Sequence, residues 1–266
     1  MQESENWSLR VPTKYIKEQT LYLPVRLMND TPPTSPCPAI AIPLELLSDP
    51  GVARLVDDEY FGNGFEYFER NYLLHHLKSG DFLIDIGAHF GLYSIFASAS
   101  VQDLHCVALE PHPANFEVMK TSIRHSGLQH RIKGLQCALG GRDGIGKLRI
   151  NSSMGHHLIR DDSSELGVID TPLHSLDNLI NKFQFGHSAM RIWLKVDTEG
   201  REKSVLAGAS ELLRSGKVQG ILWESSVGSL ENPANKDIEL FLRNFGFCTK
   251  KISPHSMFSI LAEQAP

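Results

Sequence analysis

Asp85, Gly87, His89 and Gly91 stand within Asp81-Phe-Leu-Ile-Asp-Ile-Gly-Ala-His-Phe-Gly-Leu-Tyr-Ser94. There an apolar run gives way to glycines and then to a helix-compatible stretch. Phe82 to Ile86 reads as a strand buried on both faces. A strand that turns through glycines into a helix is a place for a nucleotide cofactor. Bare backbone lets the ligand approach, and the helix start offers free N–H groups. A second apolar run, Val107-Ala-Leu-Glu-Pro111, ends in Glu110, a carboxylate suited to ribose hydroxyls. Pro111 keeps that strand from simply continuing, and Asn115 opens the next helix. Together the two motifs point to an adenosine-type cofactor beside a parallel sheet.

A third group lies in Leu194-Lys-Val-Asp-Thr-Glu-Gly-Arg-Glu202. The strand Ile192–Val196 stops at Asp197, and Gln219–Trp223 stops at Glu224. Asp85, Glu110, Asp197 and Glu224 therefore all fall at the carboxyl ends of expected strands, where open α/β sheets bind ligands. Carboxylates gathered there are costly unless cations, hydrogen bonds or protons offset them. Plainer readings exist for each. Glu110 would serve as an ordinary loop carboxylate, and Asp197 and Glu199 would cap the next helix or pair with its dipole. Trp223 is read as core, and Lys195 as a strand residue whose amine snorkels to solvent.

The elements that position these residues alternate regularly. Glu66 to Lys78 reads as a helix, stopped by Ser79-Gly80-Asp81. A helix from about Gly91 to Ser98 follows the first strand, and Leu104–Leu109 is the second strand. Ala114 to Ser126 is a helix with Gly127 as its C-cap. Ile132–Leu139 is a third strand, and Lys147–Ile150 a short peripheral one. Leu173 to Phe183 and Ser204 to Ser215 read as helices, the second ended by Gly216, and Asp237 to Asn244 as another. Phe247–Ile252 and Met257–Leu261 form a terminal antiparallel hairpin. Repeated βα units imply an α/β fold with a doubly wound, mostly parallel sheet.

The chain has 266 residues, enough for one full core with a small appendage. Residues 1–55 are rich in proline, which limits helix and central strand, so extended or looped segments are expected. This lead could cap the fold, cover the site or join a homo-oligomer. A hydrophobic fraction of 41% and a charged fraction of 21% are ordinary for a globular protein. The net charge of −5 argues against nucleic acid as the main partner. No apolar run is long enough to span a membrane. Cys37, Cys106, Cys137 and Cys248 are scattered without metal-ligand spacing, and the first residues lack a signal-peptide pattern. A reducing, cytoplasmic setting is expected.

With these elements in place, the chain resembles the FkbM-type family of class I S-adenosylmethionine-dependent methyltransferases. The resemblance rests on Asp85-Ile-Gly-Ala-His-Phe-Gly-Leu-Tyr-Ser94, Leu109-Glu-Pro-His-Pro-Ala-Asn115, Ala138-Leu-Gly140, Ser175-Leu-Asp177 and Val196-Asp-Thr-Glu-Gly200, in that order. The Ser79-Gly-Asp81 entry and Leu206-Ala-Gly208 also fit. It covers roughly residues 60 to 250. It implies a Rossmann-like, doubly wound, mostly parallel seven-stranded sheet, for which the terminal hairpin is the methyltransferase variant. Residues 56–266 would be the methyltransferase domain and residues 1–55 the lead or cap. By resemblance, Asp85, Gly87, His89 and Gly91 would meet the methionine part of the cofactor, and Glu110 its ribose. Pro111 and Asn115 would shape that pocket, and Cys137 and Ala138 would lie near the adenine. His89 stands where the family often carries asparagine. Many members methylate hydroxyl groups on sugars, polyketides or other specialised metabolites.

Methyl transfer needs an aligned acceptor and help in removing its proton. Asp197 is the first candidate base. His156 or His157 is the alternative, in a polar loop that could reach over the pocket. The Asn/Asp-Pro-Pro-Tyr signature of many amino-directed enzymes is absent at Asp197, which favours oxygen as the acceptor atom. The acceptor is read as a small molecule or glycan. A magnesium-assisted route would draw on Asp197 and Glu224. Ser225 and Ser226 follow Glu224, so the ligand set is thin and no metal is expected. Two rival readings are a nicotinamide-dependent oxidoreductase, whose Gly-x-Gly-x-x-Gly is missing, and a non-catalytic binding module, which predicts a damaged cofactor site.

Overall fold

The lead is extended in part, as its prolines predict, but its extended segments pair into a sheet. The computed structural model describes residues 13–27, 36–150, 157–159, 167–183, 191–225 and 232–262. Here β1 (Ile16–Lys17), β2 (Thr20–Pro24) and β3 (Ala39–Pro43) form a three-stranded antiparallel sheet. Pro24 and Pro43 close strands, where a missing ladder N–H is tolerated. Leu21, Leu23, Ile40 and Ile42 are fully buried. The free edge of β3 is satisfied by hydroxyls, since Ala39 and Ala41 donate their N–H groups to Ser126 and Ser122. Then α1 (Pro50–Tyr60) begins inside the expected loop region. Asp49 accepts the N–H groups of Gly51 and Val52, and Pro50 occupies the first turn, which needs no N–H. α2 (Tyr67–Leu74) is shorter than expected: it starts one residue late, after left-handed Glu66 with φ of 50°, and ends four residues early at Leu74. Buried Arg70 pairs with buried Glu59 at 2.6 Å, and Glu59 also accepts the N–H groups of Arg26 and Phe65. This ties the lead, α1 and α2 together.

The βα alternation continues through β4 (Phe82–Ile86), α3 (Leu92–Ser100), β5 (His105–Leu109), α4 (Pro113–His125) and β6 (Ile132–Leu135). A second set of strands follows: β7 (Ala138–Leu139), β8 (Gly144–Arg149), β9 (His157–Ile159) and β10 (Val168–His174). The chain returns with α5 (Leu176–Phe183), β11 (Ile192–Val196), α6 (Glu202–Ala207), α7 (Ser210–Arg214), β12 (Val218–Glu224), α8 (Pro233–Arg243), β13 (Phe247–Lys251) and β14 (Ser256–Leu261). The central sheet has seven strands in the order β13-β14-β12-β11-β4-β5-β6. β12, β11, β4, β5 and β6 are parallel, and the β13–β14 hairpin is antiparallel. It is the Rossmann-like sheet the resemblance implies.

Alternation within each strand divides the core in two. Leu83, Ala108, Trp193 and Leu222 face a cluster shared with α3, α4 and the lead. Ile84, Val107, Leu194 and Trp223 face a second cluster shared with α5 to α8. Burying each such side chain contributes roughly 1.5–3 kcal/mol. Asp81 pins the start of β4 to β11. It accepts the indole N–H of Trp193 at 2.7 Å and pairs with Arg191 at 2.8 Å.

Three expected elements are corrected. The run Ile132–Leu139 is two strands, because β7 leaves the central sheet and pairs in parallel with β10. Residues 168–174 are strand, so the helix expected from Leu173 starts at Leu176. Leu173 mimics the helical spacing of α5 but pairs with Ala138. The helix expected over Ser204–Ser215 is broken into α6 and α7 at Gly208. A Cβ there would collide with the carbonyl oxygen of Gly140. Asp177 donates its own N–H to the Gly208 carbonyl and caps α7 by accepting the N–H groups of Glu211 and Leu212. Gly140, Asp177 and Gly208, three of the residues that carried the resemblance, thus meet at one packing junction.

Candidate active site

β4, β5, β11 and β12 end on one rim, and the four carboxylates arrive there as expected. Asp85 is fully buried and accepts both the hydroxyl and the N–H of Ser94 through one oxygen, at 2.8 and 3.2 Å. Its other oxygen has no hydrogen-bond partner. Gly87 turns the chain with φ of +73°, and a Cβ there would collide with the Asp197 carbonyl oxygen. Only glycine lets the turn after β4 lie so close to the turn after β11. The N–H groups of Gly87 and Ala88 both donate to the Leu109 carbonyl. Gly91 is also left-handed and starts α3.

Glu110 is locked into this turn. One oxygen accepts the N–H of His89 at 2.8 Å, and the other accepts that of His112 at 2.9 Å. Burial pushes Glu110 up to about 7, against the pull of those two N–H groups. Each oxygen keeps a lone pair for a further donor. Asn115 is buried in the first turn of α4, which His112 caps and Pro113 begins. Pro111 precedes that cap on the rim, half-buried. The Glu110 N–H donates to the Leu135 carbonyl, so Cys137 and Ala138 follow on the same rim, both buried. Burial pushes the Cys137 thiol up to about 12.

Beside this rim a cleft of about 40 Å³ is lined by Glu66, Tyr93, Lys195, Asp197, Glu224 and His255, among others. Carboxylate oxygens of Asp197, Glu199 and Glu224 lie within 4.8 Å of one another. Burial first, then the charges of Asp197 and Glu199, push Glu224 well above the ordinary carboxylate range. Burial and Asp197 also raise Glu66, which accepts the phenol O–H of Tyr93 at 2.8 Å. Glu224 therefore keeps its proton at neutral pH.

Lys195 does not snorkel; it is buried at the centre of this cluster. Its ammonium lies 3.2 Å from Asp197 and 3.8 Å from Asp85, and donates to the Gly87 carbonyl at 3.0 Å. Burial works against its charge, but Asp197, Asp85 and Glu66 outweigh burial and raise its pKa. Sequence reasoning missed Lys195, Glu66 and Tyr93. A signal existed for Lys195, because alternation in Trp193-Leu-Lys-Val-Asp197 puts it on one face with Asp197. Glu199 does not cap the following turn. Glu202 does, accepting from the N–H groups of Thr198 and Gly200 and from the Thr198 hydroxyl. His157 is not in a loop: it opens β9, opposite Arg149 of β8. His156 lies outside the described residues.

The sheet order and the glycine turn at the first central strand define the Rossmann-like fold of S-adenosylmethionine-dependent methyltransferases. The methyltransferase FkbM domain profile matches residues 85–248, and the chain belongs to that family. Among curated relatives, methyltransferase sdnD of Sordaria araneosa is 26% identical over 207 residues, covering 66% of this chain and 77% of that protein. The 31-O-demethyl-FK506 methyltransferase FkbM of Streptomyces tacrolimicus is 30% identical over 86 residues, covering 31% of this chain and 32% of its own length. A precorrin-6y C5,15-methyltransferase structure from Geobacter metallireducens GS-15 aligns with a TM-score of 0.45 at 11% identity, over 74% of this chain and 88% of that one. The chain is thus an S-adenosylmethionine-dependent methyltransferase. The rim fits that cofactor: Glu110 has lone pairs to spare for ribose hydroxyls, and the Asp85 oxygen that faces Lys195 at 3.8 Å accepts no hydrogen bond.

Proposed function

We propose that this chain methylates a hydroxyl oxygen on a sugar or specialised metabolite, with Asp197 as the base. The observation that carries the reading is the placement of Asp197 beside an ammonium, at the mouth of a narrow cleft adjoining the glycine turn. When bound, S-adenosylmethionine supplies a methyl group on a sulfonium that leaves as a neutral thioether. Asp85, Gly87, His89 and Gly91 would hold its methionine part, and Glu110 the ribose. Pro111, Asn115, Cys137 and Ala138 would shape the remaining wall. Asp197 would accept the acceptor's hydroxyl proton as the oxygen becomes the nucleophile. Narrow walls would keep water from competing. His157 is retained as the alternative base.

Oxygen specificity is supported by Val196-Asp-Thr-Glu-Gly200, which lacks the amino-directed signature, and by the similarity to a 31-O-demethyl-FK506 methyltransferase. Protons and Lys195 offset the charge of the cleft without a metal. Residues 1–55 are read as a lead that caps the fold and residues 56–266 as the methyltransferase domain. A cytoplasmic setting accords with four free cysteines. No helix among the described residues is long and apolar enough to cross a membrane.

The test is mass spectrometry of a metabolite extract incubated with the protein and methyl-labelled S-adenosylmethionine. A product carrying the label as a methyl ether is expected, and label found only as a methyl ester would overturn the hydroxyl reading. Label found only on nitrogen or carbon would overturn the oxygen reading.

A further inference from the structure

Lys195 joins three parts of the candidate site: Asp85, the Gly87 carbonyl and Asp197. The register of the parallel pair β4–β11 sets Lys195 directly against Asp85. Alternation along β11 puts Lys195 and Asp197 on the same face of the sheet. The ammonium therefore touches three things at once: Asp85 below the cofactor turn, the Gly87 carbonyl within it, and Asp197 at the mouth of the cleft. The Tyr93 ring covers it at 5.1 Å, and Tyr93 in turn donates to Glu66. A buried ammonium needs partners of this kind, and a buried carboxylate cluster needs a cation.

We propose that Lys195 is a positioning residue for the transfer: its ammonium ties Asp197 to the cofactor turn and to Asp85, and so holds the Asp197 carboxylate where the acceptor hydroxyl would meet it. This rests on the reading of Asp197 given above. Lys195 itself touches neither cofactor nor acceptor in this role. Its partners fix the Asp197 side chain in one place, and a base displaced by an ångström loses much of its effect. The charge matters as well as the stem, because it is the ammonium that meets Asp197 at 3.2 Å and donates to the Gly87 carbonyl at 3.0 Å.

The test uses K195M, which keeps the stem without the charge, and K195R, which keeps the charge. Affinity for S-adenosylhomocysteine is measured by calorimetry. Transfer of label from methyl-labelled S-adenosylmethionine into the metabolite product made by the wild type is followed at fixed extract, with the cofactor varied. In K195M the maximal rate is expected to fall at least a hundredfold, while the apparent KM for the cofactor stays within about fivefold. K195R is expected to recover at least tenfold of the lost rate. A K195M rate within threefold of wild type overturns the proposal, and so does a K195R rate no better than that of K195M. Should K195M fail to melt cooperatively, K195Q is read by the same criteria. Wild-type protein that neither binds S-adenosylhomocysteine nor transfers label would sink the methyl-transfer reading itself. An active wild type with an equally active K195M removes only the role of Lys195.

Discussion

The Glu110 carboxylate accepts the backbone N–H of His89 at 2.8 Å, so the acid that follows β5 is locked to the turn that follows β4. His89 has φ of 52°. Asparagine, aspartate and histidine tolerate that conformation better than other non-glycine residues. This explains how histidine stands where the family often carries asparagine: the contact to Glu110 is made by the backbone N–H, and both residues accept the bend. H89N is expected to bind S-adenosylhomocysteine within about threefold of wild type. H89V, branched at Cβ, should lose at least tenfold. Calorimetry of both variants checks this, and equal affinity in the valine variant would refute the backbone argument.

E110A and D85A should each weaken S-adenosylhomocysteine binding by ten- to a hundredfold, the usual scale for hydrogen bonds to a charged group. Isothermal titration of the two variants measures it. Unchanged affinity in both would remove the rim as the cofactor site.

Cofactor affinity should depend on pH through Glu110. Ribose hydroxyls donate to an ionised carboxylate, and burial has raised Glu110 to about 7. Affinity is therefore expected to climb with pH toward 7, by up to tenfold per pH unit, and to level off above. E110Q should flatten the profile. The stability of the ligand-free protein should run the other way. A raised carboxyl keeps its proton longer in the folded than in the unfolded chain. Its contribution is present in full below about 4.5 and lost as pH rises through about 7. Denaturant melts across that window should show a slope from Glu110 no steeper than about 1.4 kcal/mol per pH unit.

Asp197→Asn should lower turnover by a factor of 10²–10⁴, the usual range for losing a general base. S-adenosylhomocysteine affinity should stay within a few-fold. Full activity of this variant would eliminate Asp197 as the base and turn attention to His157.

Gly87→Ala should cost at least about 2 kcal/mol, because left-handed strain is joined by a collision with the Asp197 carbonyl. Gly216→Ala is the control. Gly216 has φ of +72° and nothing within 4 Å of an added Cβ, so only the strain term remains. Thermal melts of the pair separate the two costs, and equal losses would contradict the packing at Gly87.

Labelled transfer should survive dialysis against a chelator, since Lys195 and bound protons offset the acids of the cleft. Loss of activity with EDTA and its return with magnesium would instead put a cation on Asp197, Glu199 and Glu224.

Much of this protein was readable from short stretches of chain. Phe82 to Ile86 is continuously apolar and strand-length, Gly87 and Gly91 mark a turn, and Ser253-Pro-His-Ser256 marks a hairpin. Each signal arises from residues within a few positions of one another, so the strand ends and their carboxylates followed directly. The Asp49-Pro50 helix start is equally local, a capping carboxylate followed by a proline in the first turn, set among prolines that otherwise favour extended chain.

Other features depended on partners far along the chain. Leu173 joins β10 rather than α5 because Ala138 offers it a strand to pair with. Gly208 breaks a helix because Gly140 presses against it. Lys195 is buried rather than solvated because the β4–β11 register sets it against Asp85. Periodicity reports which face a side chain takes, and chain order alone fixes which strands are expected. Which groups meet across that face is settled by register and packing, and there a lysine read as surface became the cation of the site.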